Sequence, residues 1–324
     1  LIKLLELFGG IGAPRQAFEN LEVPIKSVDY VEVLQYAVKA YNNMFDHNYK
    51  EQDIRDWNMH IDVLIHGTPC QDFSKNGKND ISTGRSILYN RTLEIIDHEL
   101  YPRPKVVIWE NVPNLLSKRH QHHFEHYLTY MQGLGYLNKY QILNANDYGI
   151  PQKRERLFVI SILGENNFEF PKKITIRNIK EFIDTSVNFE QNRLRDNELQ
   201  LFLYDKTDLY LRVNSKRKYQ QVRDFDIINV ERPTSKTRRG RIIQGTQQAP
   251  TITTSKNLAV YYDNQLRYLT ALEYWRLMGF SDEKYQTLIK AGIKEEMIIF
   301  LAGNSIVVPV LEAIYKQILK LNLF

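Results

Sequence analysis

Two rhythms of hydrophobic positions alternate over the first half of the chain. Short apolar runs rich in β-branched residues predict strands at 4–8, 25–31, 63–66, 106–110, 141–144 and 156–162. Between them, apolar residues three and four apart predict helices at 13–20, 35–45, 86–100 and 124–134. Strands alternating with helices are the signature of a mostly parallel sheet covered on both faces. Gly149-Ile150-Pro151 reads as the turn between the last two strands. After Gly164 the periodicity weakens. Residues 166–262 are rich in asparagine, lysine and arginine, with short strand candidates at 209–213, 227–230 and 242–243, and form a second, less regular domain. Helical spacing returns at 270–278, where Thr270 and Glu273 make a capping box, and again at 307–319.

Composition narrows the class. A chain of 324 residues suggests about two domains and a sizeable core. Its single cysteine excludes an internal disulfide and any four-cysteine metal site. The histidines at 120, 122, 123 and 126 have no cysteine beside them, and no metal is expected there. A net charge of +5 is too mild to announce nucleic-acid binding. Its distribution says more, because Arg232, Lys236, Arg238, Arg239 and Arg241 cluster, as do Lys216, Arg217 and Lys218. The chain shows no run of about 18 uncharged apolar residues, basic leader or cleavage site, so the expected location is the cytoplasm, with no membrane partner.

The first strand runs into Phe8-Gly9-Gly10-Ile11-Gly12, a turn that brings backbone amides close to a ligand. The dinucleotide fingerprint would place a third glycine where Arg15 stands, which disfavours a nicotinamide-dependent oxidoreductase. Glu32 follows the second strand, where a carboxylate can accept from ribose hydroxyls, and Asp53 can reach an adenine amino group. Together they suit an adenosine ligand without a diphosphate, and S-adenosyl-L-methionine is the candidate.

The strand at 63–66 delivers Gly67-Thr68-Pro69-Cys70-Gln71-Asp72-Phe73-Ser74. That places the thiol of Cys70 over the crevice where doubly wound sheets bind ligands. The strand at 106–110 ends in Glu110, whose carboxyl can serve a ring nitrogen beside it. Alternation puts Gln152, Arg154 and Arg156 on one face of the last strand, where an amide and two guanidiniums suit a phosphate and a base edge.

In these motifs the chain resembles the DNA (cytosine-5)-methyltransferases of bacterial restriction–modification systems. Phe8 to Gly12 resembles the family's cofactor motif, with Glu32, Asp53 and the adjoining Ile54 at further cofactor positions. Pro69-Cys70-Gln71 with Phe73-Ser74 resembles the nucleophile motif, Glu110-Asn111-Val112 the acidic motif, and Gln152, Arg154 and Arg156 the glutamine–arginine–arginine motif. Arg267 to Thr270 with Glu273 resembles the motif that follows the recognition domain. Gly303-Asn304-Ser305-Ile306 resembles the closing motif, which in the family returns to the cofactor pocket. Residues 75–87, with Arg85, resemble the loop over the substrate base. Glu6 and Thr68 are the small departures.

The resemblance implies an α/β fold: a class I, Rossmann-like methyltransferase sheet at 1–164 and 265–324, interrupted by a smaller, irregular target-recognition domain at 165–264. It implies transfer of a methyl group from S-adenosyl-L-methionine to carbon 5 of a specific cytosine in double-stranded DNA, through a Cys70 adduct on a flipped-out base. Cys70, Glu110, Arg154 and Arg156 are then catalytic, and Phe8, Gly10, Gly12, Glu32, Asp53, Ile54, Asn304 and Ser305 hold the cofactor. Gln71, Ser74, Arg85, Gln152, Arg238 and Arg239 meet the substrate. The expected partner is duplex DNA, with a monomeric enzyme and a cognate restriction endonuclease in the same system that is not a stable subunit. An RNA cytosine-5 methyltransferase and a silent DNA-binding module of the same fold are the alternatives; the long middle region favours DNA, and the intact Cys70, Glu110 and Arg156 favour an enzyme.

Overall fold

The computed structural model describes the chain except residues 58–60, 68–84, 165–166, 207, 214–217, 236–239 and 244–246, and only the backbone of 27, 28, 56 and 85–87. It divides into two packing units: 1–144 with 155–173 and 306–324, and 145–154 with 174–305.

The first unit is built on one six-stranded sheet. In chain order its strands are β1 (Ile2–Leu7), β2 (Ile25–Val31), β3 (Val63–His66), β4 (Val106–Asn111), β5 (Tyr136–Asn144) and, after a two-stranded pairing segment β6 (Gln152–Lys153) in the other unit, β7 (Glu155–Leu163). The order across the sheet is β2-β1-β3-β4-β7-β5. β2, β1, β3 and β4 run parallel, whereas β7 is antiparallel to both β4 and β5. The sheet is therefore less parallel than its sequence pattern suggests. A parallel neighbour needs a crossover of a dozen residues or more, and the short link from β5 to β7 carries no such helix.

Helices α1 (Ala13–Asn20), α2 (Gln35–Phe45), α3 (Arg85–Ile96) and α4 (Gln121–Gly133) flank the sheet, with α9 (Val308–Leu319) returning to it. Alternation along β1 divides its side chains between two cores. Leu5 and Leu7 pack with Tyr89 and Leu93 of α3 and with Phe124, Tyr127 and Met131 of α4. Glu6 faces the other way, toward Arg15 of α1 and Tyr41 of α2. Phe18 of α1 stacks on Tyr315 of α9 at 3.9 Å. Two boundaries differ from the sequence reading. α3 stops at Ile96, and the guanidinium of Arg103 holds the Asp97 carboxylate just beyond it. β5 starts at Tyr136, because an edge strand exposing Leu137, Lys139 and Tyr140 lacks the apolar run of a central one.

The second unit holds α5 (Asp196–Leu199) and a three-stranded antiparallel sheet of β8 (Phe202–Asp205), β9 (Asp208–Arg212) and β10 (Tyr219–Val222). A four-stranded sheet follows in the order β12-β11-β14-β15, from β11 (Ile227–Asn229), β12 (Arg241–Ile242), β14 (Leu258–Tyr262) and β15 (Gln265–Tyr268), and β13 (Ala249–Pro250) pairs β6. Their shared core includes Leu209, Leu211, Val222, Ile228 and Ala259. Helices α6 (Ala271–Arg276), α7 (Asp282–Lys290) and α8 (Glu295–Asn304) close the unit. Among the described residues one stretch, 295–319, is apolar and long enough to cross a membrane. It is two helices, α8 and α9, separated at 305–307 and largely buried.

Candidate active site

The carboxyl ends of β1, β2, β3 and β4 lie along one edge of the first unit's sheet, and the amino end of the antiparallel β7 joins them there. The Gly9–Gly12 turn leaves β1 at this edge. A Cβ at Gly9 would meet the Tyr30 ring at 2.6 Å, and one at Gly12 would meet Phe45 and Tyr41 at 2.5–2.6 Å. Gly12 also caps α1 with φ +73°. Gly10, at φ +53°, has nothing within 4 Å of its Cβ position, so the turn is open on that side. The turn is fixed from below, as Tyr30 Oη donates to the Gly10 carbonyl at 2.5 Å. Phe8 also adopts a positive φ, 55°, at the end of the strand.

Glu32 closes the turn from the β2 side. One carboxylate oxygen accepts from Gly10 N at 3.1 Å, the other from Val33 N at 2.8 Å and Leu34 N at 2.9 Å. The next segment is tied to β2: Gln52 N donates to the Glu32 carbonyl, Gln52 Nε2 to Asp29 Oδ1, and Trp57 Nε1 to Asp29 Oδ2. This places Asp53 and the buried Ile54 at the same edge. The Asp53 carboxylate accepts from Arg55 N and from the Arg55 guanidinium, whose hydrogen bonds hold its pKa down to about 2. Asp29 and Tyr30 escaped the sequence reading; an acidic residue inside an apolar strand was the available signal. The arrangement fits an adenosine-bearing ligand: an open glycine turn, two anchored carboxylates and apolar neighbours in Phe8 and Ile54.

Beneath the turn sits Glu6, fully buried. It accepts from Tyr41 Oη at 2.6 Å and from Arg15 N, in the first turn of α1, at 3.3 Å. Burial outweighs these bonds and pushes its pKa up to about 7.

The second cluster lies at the ends of β3, β4 and β7. Antiparallel pairing sets Glu110 opposite Phe158, which brings Arg156 to the end of β4. Arg156 Nε meets Glu110 Oε1 at 3.1 Å, with the side chains 20% and 14% exposed. The other oxygen, Oε2, lies 3.5 Å from the Cβ position of Gly67, at the head of the segment carrying Cys70. His66, just before it, is buried and stacked on Trp109, and burial lowers its pKa to about 3. Cys70, Gln71 and Ser74 lie outside the described residues, as do Arg238, Arg239 and the side chain of Arg85.

Gln152, Arg154 and Arg156 do not share one strand face. Strand pairing breaks at Arg154, and the first two belong to the second unit. Gln152 is fully buried, donating to the Leu277 carbonyl at 2.7 Å and accepting from Ile252 N at 3.0 Å. Arg154, 3% exposed, spends its guanidinium on the carbonyls of Ile252, Gly303 and Ser305 at 2.8–3.0 Å. Both side chains are thus buried and hydrogen-bonded to the backbone at 252, 277 and the 303–305 turn. Alternation over one unbroken strand was assumed, and the break is what misled it. Ser305 ends α8 and is buried, whereas Asn304 is exposed. Gly303 is required there, since a Cβ would run into the Thr253 carbonyl. Nearby, Arg267 and Glu273 form a buried bidentate pair at 2.7 and 2.9 Å, and the Thr270–Glu273 capping box is present as the sequence indicates.

A sheet of this order, with a glycine turn after β1 and an acidic residue after β2, defines an S-adenosyl-L-methionine-dependent methyltransferase of class I. The crystal structure of the S. pombe Dnmt2 methyltransferase shares this fold, with a TM-score of 0.75 at 19% identity over the whole of both chains. The family model of C-5 cytosine-specific DNA methylases matches residues 2–320. The chain is 34% identical over 270 residues to the type II methyltransferase M2.ScrFI of Lactococcus lactis subsp. cremoris, covering 80% of this chain and 67% of that protein. It is 28% identical over 343 residues to M.HhaI of Haemophilus parahaemolyticus, covering 98% and 94%. The chain belongs to the C-5 cytosine-specific DNA methylases. It is a cytosine-5 DNA methyltransferase with S-adenosyl-L-methionine as its cofactor.

Proposed function

We propose that the chain methylates carbon 5 of one specific cytosine in duplex DNA through a covalent adduct of Cys70 with a flipped-out base. The observation that carries this reading is the Glu110–Arg156 pair, set against Gly67 at the head of the Cys70 segment. Arg156 fixes the direction of the carboxylate, which then engages ring nitrogen 3 and the exocyclic amine of the target cytosine. The Cys70 thiolate adds to carbon 6, turning carbon 5 into a nucleophile. When bound, S-adenosyl-L-methionine supplies the electrophilic methyl group. Phe8, Gly10, Gly12, Glu32, Asp53 and Ile54 hold it, and the resemblance of 303–306 to the family's closing motif assigns Asn304 and Ser305 to the cofactor as well. Once carbon 5 is methylated, loss of its proton and expulsion of the thiolate restore the aromatic ring and the enzyme. Extruding the base costs a few kcal/mol, offset by contacts in the pocket.

Functionally, 1–164 and 265–324 form the catalytic domain and 165–264 the target-recognition domain. Gln71, Ser74 and Arg85 contact the flipped nucleotide and its flanking backbone, and Arg238 and Arg239 contact the duplex. The enzyme acts in the cytoplasm as a monomer beside a cognate endonuclease that is not a stable subunit.

Cys70→Ala tests the mechanism. Tritiated methyl incorporation into duplex DNA should vanish while DNA binding persists, with transfer RNA as the comparison substrate. Full activity in the variant refutes the adduct.

A further inference from the structure

Glu6 lies under the cofactor turn without belonging to it, where the first turn of α1 needs an acceptor. The cap position of α1 is Gly12, which has no side chain to offer, and the second helical residue is Pro14, which has no amide. The amide of the third, Arg15, finds its acceptor in Glu6 Oε1, nine residues earlier on β1. Gly12 leaves no room for a cap of its own, since its Cβ position lies 2.6 Å from the Tyr41 ring. The hydroxyl on that ring donates to Glu6 Oε2. One carboxyl group thus serves both the helix start and the ring that shapes the turn.

A second line runs to Gly10. Tyr41 stacks on Tyr30 with ring centroids 3.8 Å apart, and Tyr30 Oη donates to the Gly10 carbonyl while Glu32 accepts from the Gly10 amide. Gly10 is therefore pinned at both ends of its peptide, and one pin leads back through two rings to Glu6.

This geometry is that of a carboxylate, because both oxygens accept. A proton on Oε1 would face the Arg15 amide, and one on Oε2 would reverse the Tyr41 bond, so protonation takes one of the two contacts. The neighbours divide. Burial penalises the charge, Tyr41 of α2 and Arg15 of α1 favour it, and Glu19 of α1 opposes it. The phenols of Tyr30 on β2 and Tyr315 on α9 also lie in its field, and both stay neutral. Arg15 donates to Glu19 Oε1 at 3.2 Å and to His47 Nε2, and burial together with the Arg15 charge lowers the His47 pKa. The balance leaves Glu6 with a pKa of about 7, so both of its charge states are populated near neutral pH.

We propose that Glu6 is a positioning residue for S-adenosyl-L-methionine: its carboxylate form holds the glycine turn and the start of α1 in the binding geometry, so that cofactor binding expels the Glu6 proton to solvent. The inference rests on the assignment of this turn to the cofactor. By linkage, a ligand that prefers the carboxylate form binds more tightly as pH rises through 7. Fold stability runs the other way, because the proton relieves the burial of the charge. A purely structural Glu6 would give the second slope without the first.

The test titrates the full chain with S-adenosyl-L-methionine by calorimetry between about pH 5.5 and about pH 8.5, in buffers of different ionisation enthalpy. The cofactor's own amino group titrates near about 8, so the quantity read is the ratio of wild-type to Glu6→Gln affinity, in which that titration cancels. The ratio should rise roughly tenfold across pH 7, as one charge-assisted hydrogen bond is gained. Near pH 7 the wild type should release more protons on binding than Glu6→Gln. Tyr41→Phe keeps the ring stack but removes a bond that favours the charge, so its affinity should climb at a higher pH than the wild type's. If the melting curve shows Glu6→Gln unfolded, the Tyr41→Phe shift decides. A flat or falling ratio with equal proton release overturns the proposal, and so does a Tyr41→Phe profile that coincides with the wild type's. Gly10→Ala is titrated alongside: undiminished affinity there refutes the assignment of the turn to the cofactor, whereas a weakened Gly10→Ala with a flat ratio refutes only the role of Glu6.

Discussion

Three charged residues at the candidate site have different duties because their surroundings differ. Arg154 is sealed against three carbonyls, and Arg156 reaches a partly exposed carboxylate. Arg154→Ala would strand buried acceptors and should cost on the order of 3 kcal/mol or more in unfolding free energy. Arg156→Ala should leave the melting temperature within a few degrees of the wild type and lower kcat roughly a hundredfold by loosening Glu110. Denaturant titration and steady-state kinetics on both variants check this, and equal effects on stability would contradict it. Glu6 carries a pH signature. Its pKa is about 7 in the fold against an ordinary 4.5, so the folded state holds the proton longer than the unfolded one. Its contribution is therefore fully present below about pH 4.5 and is lost as pH rises through 7, by at most roughly 3 kcal/mol. Glu6→Gln loses one acceptor at every pH but should remove this dependence. Its melting temperature relative to wild type should rise between pH 5 and pH 8; parallel profiles would show that Glu6 is not buried as described.

Among the elements, the glycine turn separates packing from ligand access. Gly12→Ala combines a positive φ with a clash on Tyr41 and Phe45, so overpacking of about 1–3 kcal/mol adds to the backbone strain. Gly10→Ala bears the strain alone, about 1–2 kcal/mol, but its methyl enters the open side of the turn. Thermal melts should rank Gly12→Ala as the less stable, while calorimetric titration with S-adenosyl-L-methionine should show Gly10→Ala losing affinity beyond its stability cost. What could be read from sequence follows the range of the interaction. α1, α2 and the Thr270 capping box depend on residues within a few positions, and their bounds emerged from spacing alone. The Glu110–Arg156 pair depends on β7 running antiparallel to β4, which no local pattern reports. α8 leaves little trace because its apolar run shows hardly any helical periodicity, whereas α7 carries a legible signal in the Ser281 cap and the spacing of Tyr285 and Leu288.

At the scale of the molecule, the motifs were legible in order, and their order alone placed an interrupting domain within a methyltransferase sheet. Packing divides the chain at slightly different points, because 145–154 and the segment after 264 pack with the inserted region's strands. Which bases the inserted domain reads was not legible, since exposed side chains on irregular strands leave no periodic trace. The central claim is that this chain writes 5-methylcytosine at one DNA site through Cys70. Bisulfite sequencing of DNA from cells expressing the wild type or Cys70→Ala tests it most directly. The expected result is protected cytosines at a single recurring sequence with the wild type and none with the variant; no protected site with the wild type, or the same sites with both, would contradict it.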